Sequence, residues 1–175
     1  MLAAGRLPAA LDGRRKPVEL RKASKDEGPL LRELLDQYLR ELSEHREFAV
    51  GARSASEYSY FELYWSEPGR FPLGIWSGDK LLGFALIRRV HDAQSELMQV
   101  AEYYVRPEHR RVGVGRNAIA EVWRQYRGPW ELQVMKGNVA AVNFWQKCIS
   151  SYAHQWRVEE IQAGDGRRLF FHFEV

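Results

Sequence analysis

The chain has 175 residues, 45% hydrophobic and 28% charged, with six Trp, eight Tyr and eight Phe; this suits one domain with a real core and excludes a disordered chain. Much of the formal charge of +3 lies in Arg6, Arg14, Arg15 and Lys16, so no basic field of the whole chain points to nucleic acid. The one cysteine, Cys148, excludes an internal disulfide and reads as a small core residue, and no apolar run is long enough to span a bilayer.

Residues 1–16 are expected to be a flexible tail, without the continuous apolar stretch of a secretory signal, and a cytoplasmic location is the default expectation. Residues 17–175 are expected to form one domain. Val18 to Lys22 alternates apolar and charged residues as a short strand does. Ser24-Lys25-Asp26-Glu27 reads as a capping box that opens a helix. Leu30, Leu31, Leu34, Leu35, Tyr38, Leu39 and Leu42 follow at spacings of three and four, the apolar stripe of an amphipathic helix. After a polar stretch from Ser43 to Ser56, Glu57 to Trp65 is expected to be a second short helix, stopped by Pro68-Gly69.

The period then changes. Phe71 to Trp76, a Ser77-Gly78-Asp79 turn and Leu81 to Arg89 read as a β-hairpin, and Leu97 to Val105 as a third strand ended by Pro107. A helix begins near Gly113 and ends before Gly128-Pro129; Trp130 to Met135 is a strand and Ala140 to Ile149 a helix. Two last strands, His154 to Ile161 and Arg168 to Glu174, surround the turn Gly164-Asp165-Gly166. This order describes a mixed α/β sheet.

The sharpest chemical signal is Arg110-Arg111-Val112-Gly113-Val114-Gly115-Arg116, between a strand and a helix. A helix start leaves backbone N–H groups unpaired at the positive end of the dipole, and glycine lets an anion approach them closely. Arg110, Arg111 and Arg116 would add charge-assisted hydrogen bonds. A plain glycine turn with solvated arginines is the rival reading. Gly113 to Ala118 also satisfies G-x-G-x-x-A, but a long basic connection precedes it and no acidic residue stands near Met135-Lys136, which argues against a dinucleotide turn. A P-loop would need Gly-Lys-Ser/Thr, which is missing.

Arg110-x-x-Gly113-x-Gly115, led by Tyr104-Val105-Arg106-Pro107-Glu108-His109, resembles the signature loop of the GNAT superfamily, the GCN5-related N-acetyltransferases. Asn138-Val139-Ala140-Ala141-Val142-Asn143-Phe144-Trp145 resembles that family's second motif, except at its last place. The resemblance extends from about Val18 to the C-terminus. It implies the acyl-CoA N-acyltransferase fold, α/β (α+β), with a mostly antiparallel mixed sheet of about seven strands flanked by about four helices. It also implies acetyl-CoA as cofactor, its pyrophosphate on the N–H groups of Val112, Gly113, Val114, Gly115 and Arg116. Pantetheine would lie between splayed strands, against backbone near Tyr103, Tyr104 and Val105, with Asn138 touching it by its side chain and Phe144 and Trp145 packed along it. Acetyl would pass directly to a primary amine in a ternary complex.

Glu102 is the candidate base: it stands just before Tyr103-Tyr104, where aromatic surroundings raise a carboxyl pKa. A surface ion pair with an arginine is its other reading, and Glu131 and Gln133 are weaker candidates. Trp145 replaces the family's usual tyrosine acid, and Ile149-Ser150 its usual Gly-Phe. An indole is no practical acid, so any thiolate donor must come from elsewhere, with Tyr103, Tyr104 and Tyr152 as options. A non-catalytic acyl-CoA-binding regulator is the alternative this substitution raises.

On the acceptor side stand Glu41, Glu44, Glu47, Glu57, Glu62 and Glu67, interleaved with Tyr58, Tyr60, Phe61, Tyr64 and Trp65. They read either as an acidic, aromatic-lined pocket for a small cationic amine or as solvated helix faces over a core. The acceptor could be a small molecule or a protein amine. Scattered histidines (His45, His91, His109, His154, His172) predict no metal. No nucleic-acid or membrane partner is expected, and the family allows a homodimer through its late strands.

Overall fold

The computed structural model describes residues 17–44, 54–91, 96–163 and 166–175. The tail 1–16, most of the polar stretch and the turn residues Gly164-Asp165 lie outside the described residues. The strands are β1 (Val18–Lys22), β2 (Arg70–Ser77), β3 (Lys80–His91), β4 (Glu96–Val105), β5 (Pro129–Met135), β6 (Gln155–Ala163) and β7 (Gly166–Glu174). The helices are α1 (Gly28–Glu44), α2 (Leu63–Ser66), α3 (Val114–Gln125) and α4 (Val139–Tyr152). The strands form one seven-stranded sheet in the order β1-β2-β3-β4-β5-β7-β6, and β4 with β5 is its parallel pair.

The capping box forms as the sequence predicts. Ser24 accepts from the Glu27 N–H, and Glu27 accepts in return from the Ser24 N–H at 2.9 Å. A short 3-10 turn at Lys25–Glu27 then feeds α1, which buries Leu31, Leu34, Leu35 and Leu39. The expected helix from Glu57 to Trp65 is corrected: only Leu63–Ser66 is helical. Bonds from Glu57 to Ser54, Phe61 to Tyr58 and Tyr64 to Phe61 close single turns of i to i+3 spacing. These turns bury Phe61 and Tyr64 in the core beneath α1 and pack Tyr58 and Trp65 against it, while Tyr60 stays exposed.

Each face of the sheet has its own core. On one, Ile87, Val100, Leu132 and Phe171 meet Ile119, Val122 and Trp123 of α3 and Trp145, Cys148 and Ile149 of α4. On the other, Phe84, Leu86 and Tyr104 meet α1 together with Phe61 and Tyr64. Cys148 is a core residue, and burial pushes its thiol up to about 11. Among the described residues no helix is long and apolar enough to cross a membrane.

Candidate active site

The parallel pair is brief. Met98, Gln99 and Val100 pair with Trp130, Glu131 and Leu132, and beyond them β4 and β5 part. The ends Glu102–Val105 and Gln133–Met135 therefore flank a cleft. The two strands run the same way, so α3 and α4 both start at this end of the sheet. Their positive N-terminal dipole ends thus bracket the cleft.

The glycine loop stands at one side of it. Gly113, with φ +87°, is the N-cap of α3, and Arg111 also has positive φ, +61°. The Asn117 N–H is bound to the carbonyl of the N-cap Gly113 at 2.9 Å, the i to i−4 bond that opens the helix. The N–H groups of Gly113, Val114, Gly115 and Arg116 thus form the donor end, the arrangement an anionic diphosphate needs. The donor set fits the phosphate chemistry of coenzyme A. Val112, Gly113 and Arg116 are exposed, so the rim is reachable.

Arg110 turns its guanidinium to the protein. Nη1 and Nη2 donate to Glu41 at 2.6 and 2.7 Å, Nε donates to the Val105 carbonyl at 2.7 Å, and the group lies over the Tyr104 ring. Its N–H is bound to the Pro107 carbonyl. Arg110 therefore ties the loop to α1 and to the end of β4, and Arg111 and Arg116 remain as the exposed charges of the loop.

Tyr103 locks the loop from below. Its hydroxyl donates to the Gly115 carbonyl at 2.6 Å, and its ring stacks on Phe144 and meets Trp145 edge-on. A Cβ at Gly115 would lie 3.4 Å from Phe144 and 3.5 Å from Val105, so glycine lets α3, α4 and β4 converge. Asn138 caps α4, its side chain accepting from the Ala141 N–H at 3.1 Å. Trp145 is buried in the core against Tyr103 and Trp123.

Glu102 owes its direction to a bulge. Ile87 pairs with Val100 and Leu86 with Glu102, so Ala101 is an extra residue in β4. In a regular strand Glu102 would share the face of Val100, toward α3 and α4; the inserted residue puts it on the opposite face, with Leu86 and Tyr104. There the hydroxyls of Tyr38 and Tyr58 are directed at its carboxylate, while part of Glu102 stays open to solvent. Burial raises its pKa to about 7, above the usual carboxylate range, against the lowering influence of Tyr38, Tyr58, Arg168 and Arg88. Burial and the carboxylate together hold Tyr38 and Tyr58 protonated well beyond neutral pH.

Two of the phenols weighed as acids are otherwise engaged: Tyr103 is bound to Gly115, and Tyr104 lies over Arg110. Tyr152 is exposed and packs edge-on against Trp123. Glu131 accepts from Gln99 at 2.7 Å, and Gln133 accepts from Arg168 at 3.3 Å. Glu41, Glu62 and Glu67 pair with Arg110, Arg32 and Arg70, so they do not gather as an acidic pocket. Glu47 and the side chain of Glu44 lie outside the described residues. Sequence reasoning missed Tyr38 as a site residue because it occupies a place in the apolar stripe of α1; a tyrosine among leucines was the available signal. It also missed Arg88 and Gln99, whose Nε to Oε1 bond of 2.6 Å spans two strands that only the sheet register joins.

A mixed sheet that splays at its parallel pair, with a glycine loop leading from one strand end into a helix, is the acyl-CoA N-acyltransferase fold. A sequence profile of the Acetyltransferase (GNAT) family matches residues 31–148, and the chain belongs to that family. No curated protein matches the chain. Among solved structures, a ribosomal-protein-alanine N-acetyltransferase from Brucella melitensis aligns with TM-score 0.66 at 16% identity, covering 90% of this chain and 99% of its own. NAA60 from Arabidopsis thaliana, in complex with acetyl-CoA, aligns with TM-score 0.62 at 14% identity, covering 91% and 100%. A GNAT-family acetyltransferase from Streptococcus pneumoniae aligns with TM-score 0.63 at 16% identity, covering 91% and 100%. At such identities the likeness is one of fold.

Proposed function

We propose that this protein transfers the acetyl group of acetyl-CoA directly to a primary amine, with Glu102 as the base that deprotonates it. One observation carries the assignment: the bulge at Ala101 sets a carboxylate with a raised pKa on the α1 face of β4, beside the splay. Acetyl-CoA, when bound, supplies an acetyl group activated as a thioester.

The chain's own residues do the rest. Backbone N–H groups from Val112 to Arg116 hold the diphosphate at the start of α3, with Arg111 and Arg116 as outer charges. Tyr103 keeps that helix start against β4 through Gly115, and Asn138 fixes the start of α4 on the other side. Between them lies the cleft that suits the pantetheine arm, with Phe144 along it. An amine arriving on the α1 side loses its proton to Glu102, whose pKa of about 7 makes it a base matched to neutral pH. Trp145 supplies no acid, both because indole holds its proton and because the residue is buried in the core.

Calorimetry with acetyl-CoA, followed by release of free thiol across a panel of primary amines, tests this reading. Binding together with amine-dependent thiol release is expected. Binding without thiol release from any amine would make the protein an acyl-CoA sensor, and absence of binding at millimolar cofactor would remove the loop assignment.

A further inference from the structure

Two arginines face each other beside the candidate base. Arg70 of β2 and Arg88 of β3 are direct partners in the antiparallel register. Leu86, the partner of Glu102, lies two residues before Arg88, so both arginines share the face of Glu102, about 7 Å along the strand. Like charges directly opposite each other across a ladder are destabilising. A sequence that places them there needs a reason.

Each guanidinium is anchored through Nε. Arg70 donates to Glu67 at 2.7 Å and lies over the rings of Tyr60 and Tyr64; Arg88 donates to Gln99 at 2.6 Å, and Gln99 in turn donates to Glu131. Anchoring at the stem fixes the plane of each group and directs its remaining donors away from the anchor. Arg70 and Arg88 also line an open groove of about 260 Å³ together with Glu67, Pro68, Arg89, Val90 and His91; Arg89 and His91 both pair with Glu96. Beside the pair is Tyr64, only 2% exposed, whose ring lies under Arg70 and whose hydroxyl is within reach of that guanidinium.

We infer that Arg70 and Arg88 form the anion subsite of the acceptor pocket, and that the acceptor is a compact amino acid whose carboxylate they hold while its amine reaches Glu102. The inference rests on the acetyltransferase reading above. Glu67 balances one of the two arginines and Glu102 lies within electrostatic reach of Arg88, so the facing pair carries at most one net positive charge. That matches a carboxylate better than a phosphate dianion. Two fixed guanidiniums also suit the planar, two-oxygen geometry of a carboxylate.

The test compares thiol release by the wild-type enzyme with glycine, alanine and β-alanine, with their carboxamides, and with aminoethyl phosphate. The acids should exceed their carboxamides at least tenfold in kcat/KM, carried mainly by KM. Arg70→Gln and Arg88→Gln should each collapse that ratio toward one. Taking the ratio cancels any change the substitution makes to Glu102 itself, and acetyl-CoA affinity reports that each variant is folded. If a variant does not fold, the wild-type comparison still decides. Carboxamides accepted as well as acids, preference for the phosphate, or a ratio that survives both substitutions would overturn the subsite and leave the acetyltransferase reading standing. Acetyl-CoA binding without thiol release from any amine would overturn both.

Discussion

Protonation of Glu102 has two opposite consequences, one for rate and one for stability. As a base it works only when ionised, so kcat/KM should rise with pH through about 7. Glu102→Gln should lower the rate by a factor on the order of 10² to 10⁴ and abolish that limb. A pH–rate profile unchanged by the substitution would remove Glu102 as the base. For stability the sign is reversed. The folded pKa of about 7 lies above the open-chain 4.5, so the folded state binds this proton more tightly than the unfolded state does. Its contribution is full below about pH 4.5 and is lost as the pH rises through about 7. Glu102→Gln cannot ionise, so it should melt above the wild type at about pH 8, with the gap closing toward pH 5. The groups facing Glu102 (Tyr38, Tyr58, Arg88 and Arg168) all favour its ionised form, and burial outweighs them.

At the scale of elements, the site depends on the bulge in β4 and on the tie between loop and helix. The bulge lets β4 carry Ala101 without turning Glu102 from the α1 face; deleting Ala101 would restore regular alternation and leave Val100 opposite Ile87 and Glu102 opposite Leu86. The deletion should therefore keep amine-dependent thiol release, and its loss would mean that the local twist of the bulge is needed as well as the face of Glu102. Glu41→Ala removes the bidentate partner of Arg110. The pair is partly exposed, so the cost to folding should be about 1 kcal/mol or less. The freed loop should hold acetyl-CoA several-fold more weakly, which calorimetry would read directly. Equal affinity in the variant would mean that β4 and Tyr103 position the loop without α1.

For the molecule as a whole, ligand and fold are linked by mass action. Acetyl-CoA at about 100 times its Kd should stabilise the protein by about 2.7 kcal/mol, a rise in Tm on the order of 5 to 10 °C for a chain of this size. Gly113→Val should lose most of that rise, because a β-branched residue is strained at φ +87° and would obstruct the anion's approach. A continuous seven-stranded sheet with a core on each face should unfold in one transition, and coincident fluorescence and circular-dichroism melts would check this.

Reading by residue pattern alone reached every strand, the capping box at Ser24 and Glu27, the stripe of α1 and the glycine loop. These depend on local physics: alternation, helical period, backbone freedom and the unpaired N–H groups of a helix start. It failed at Glu57 to Trp65, where packing of Phe61 and Tyr64 into the core outweighs local helical preference; of its two readings for the glutamates the acidic pocket falls, because Glu41, Glu62 and Glu67 each pair with an arginine. Glu102 was legible as a carboxylate before two tyrosines, but not the face it points to. That face depends on a single extra residue in β4, visible only against the register of β3. The partners Tyr38, Tyr58, Arg70 and Arg88 come from four segments joined only by folding. The sequence by itself determined the glycine loop and the unpaired N–H groups at the start of α3, because both belong to one local segment. Only the tertiary structure decided which groups surround Glu102, because those arise from strand register and from helices laid across the sheet.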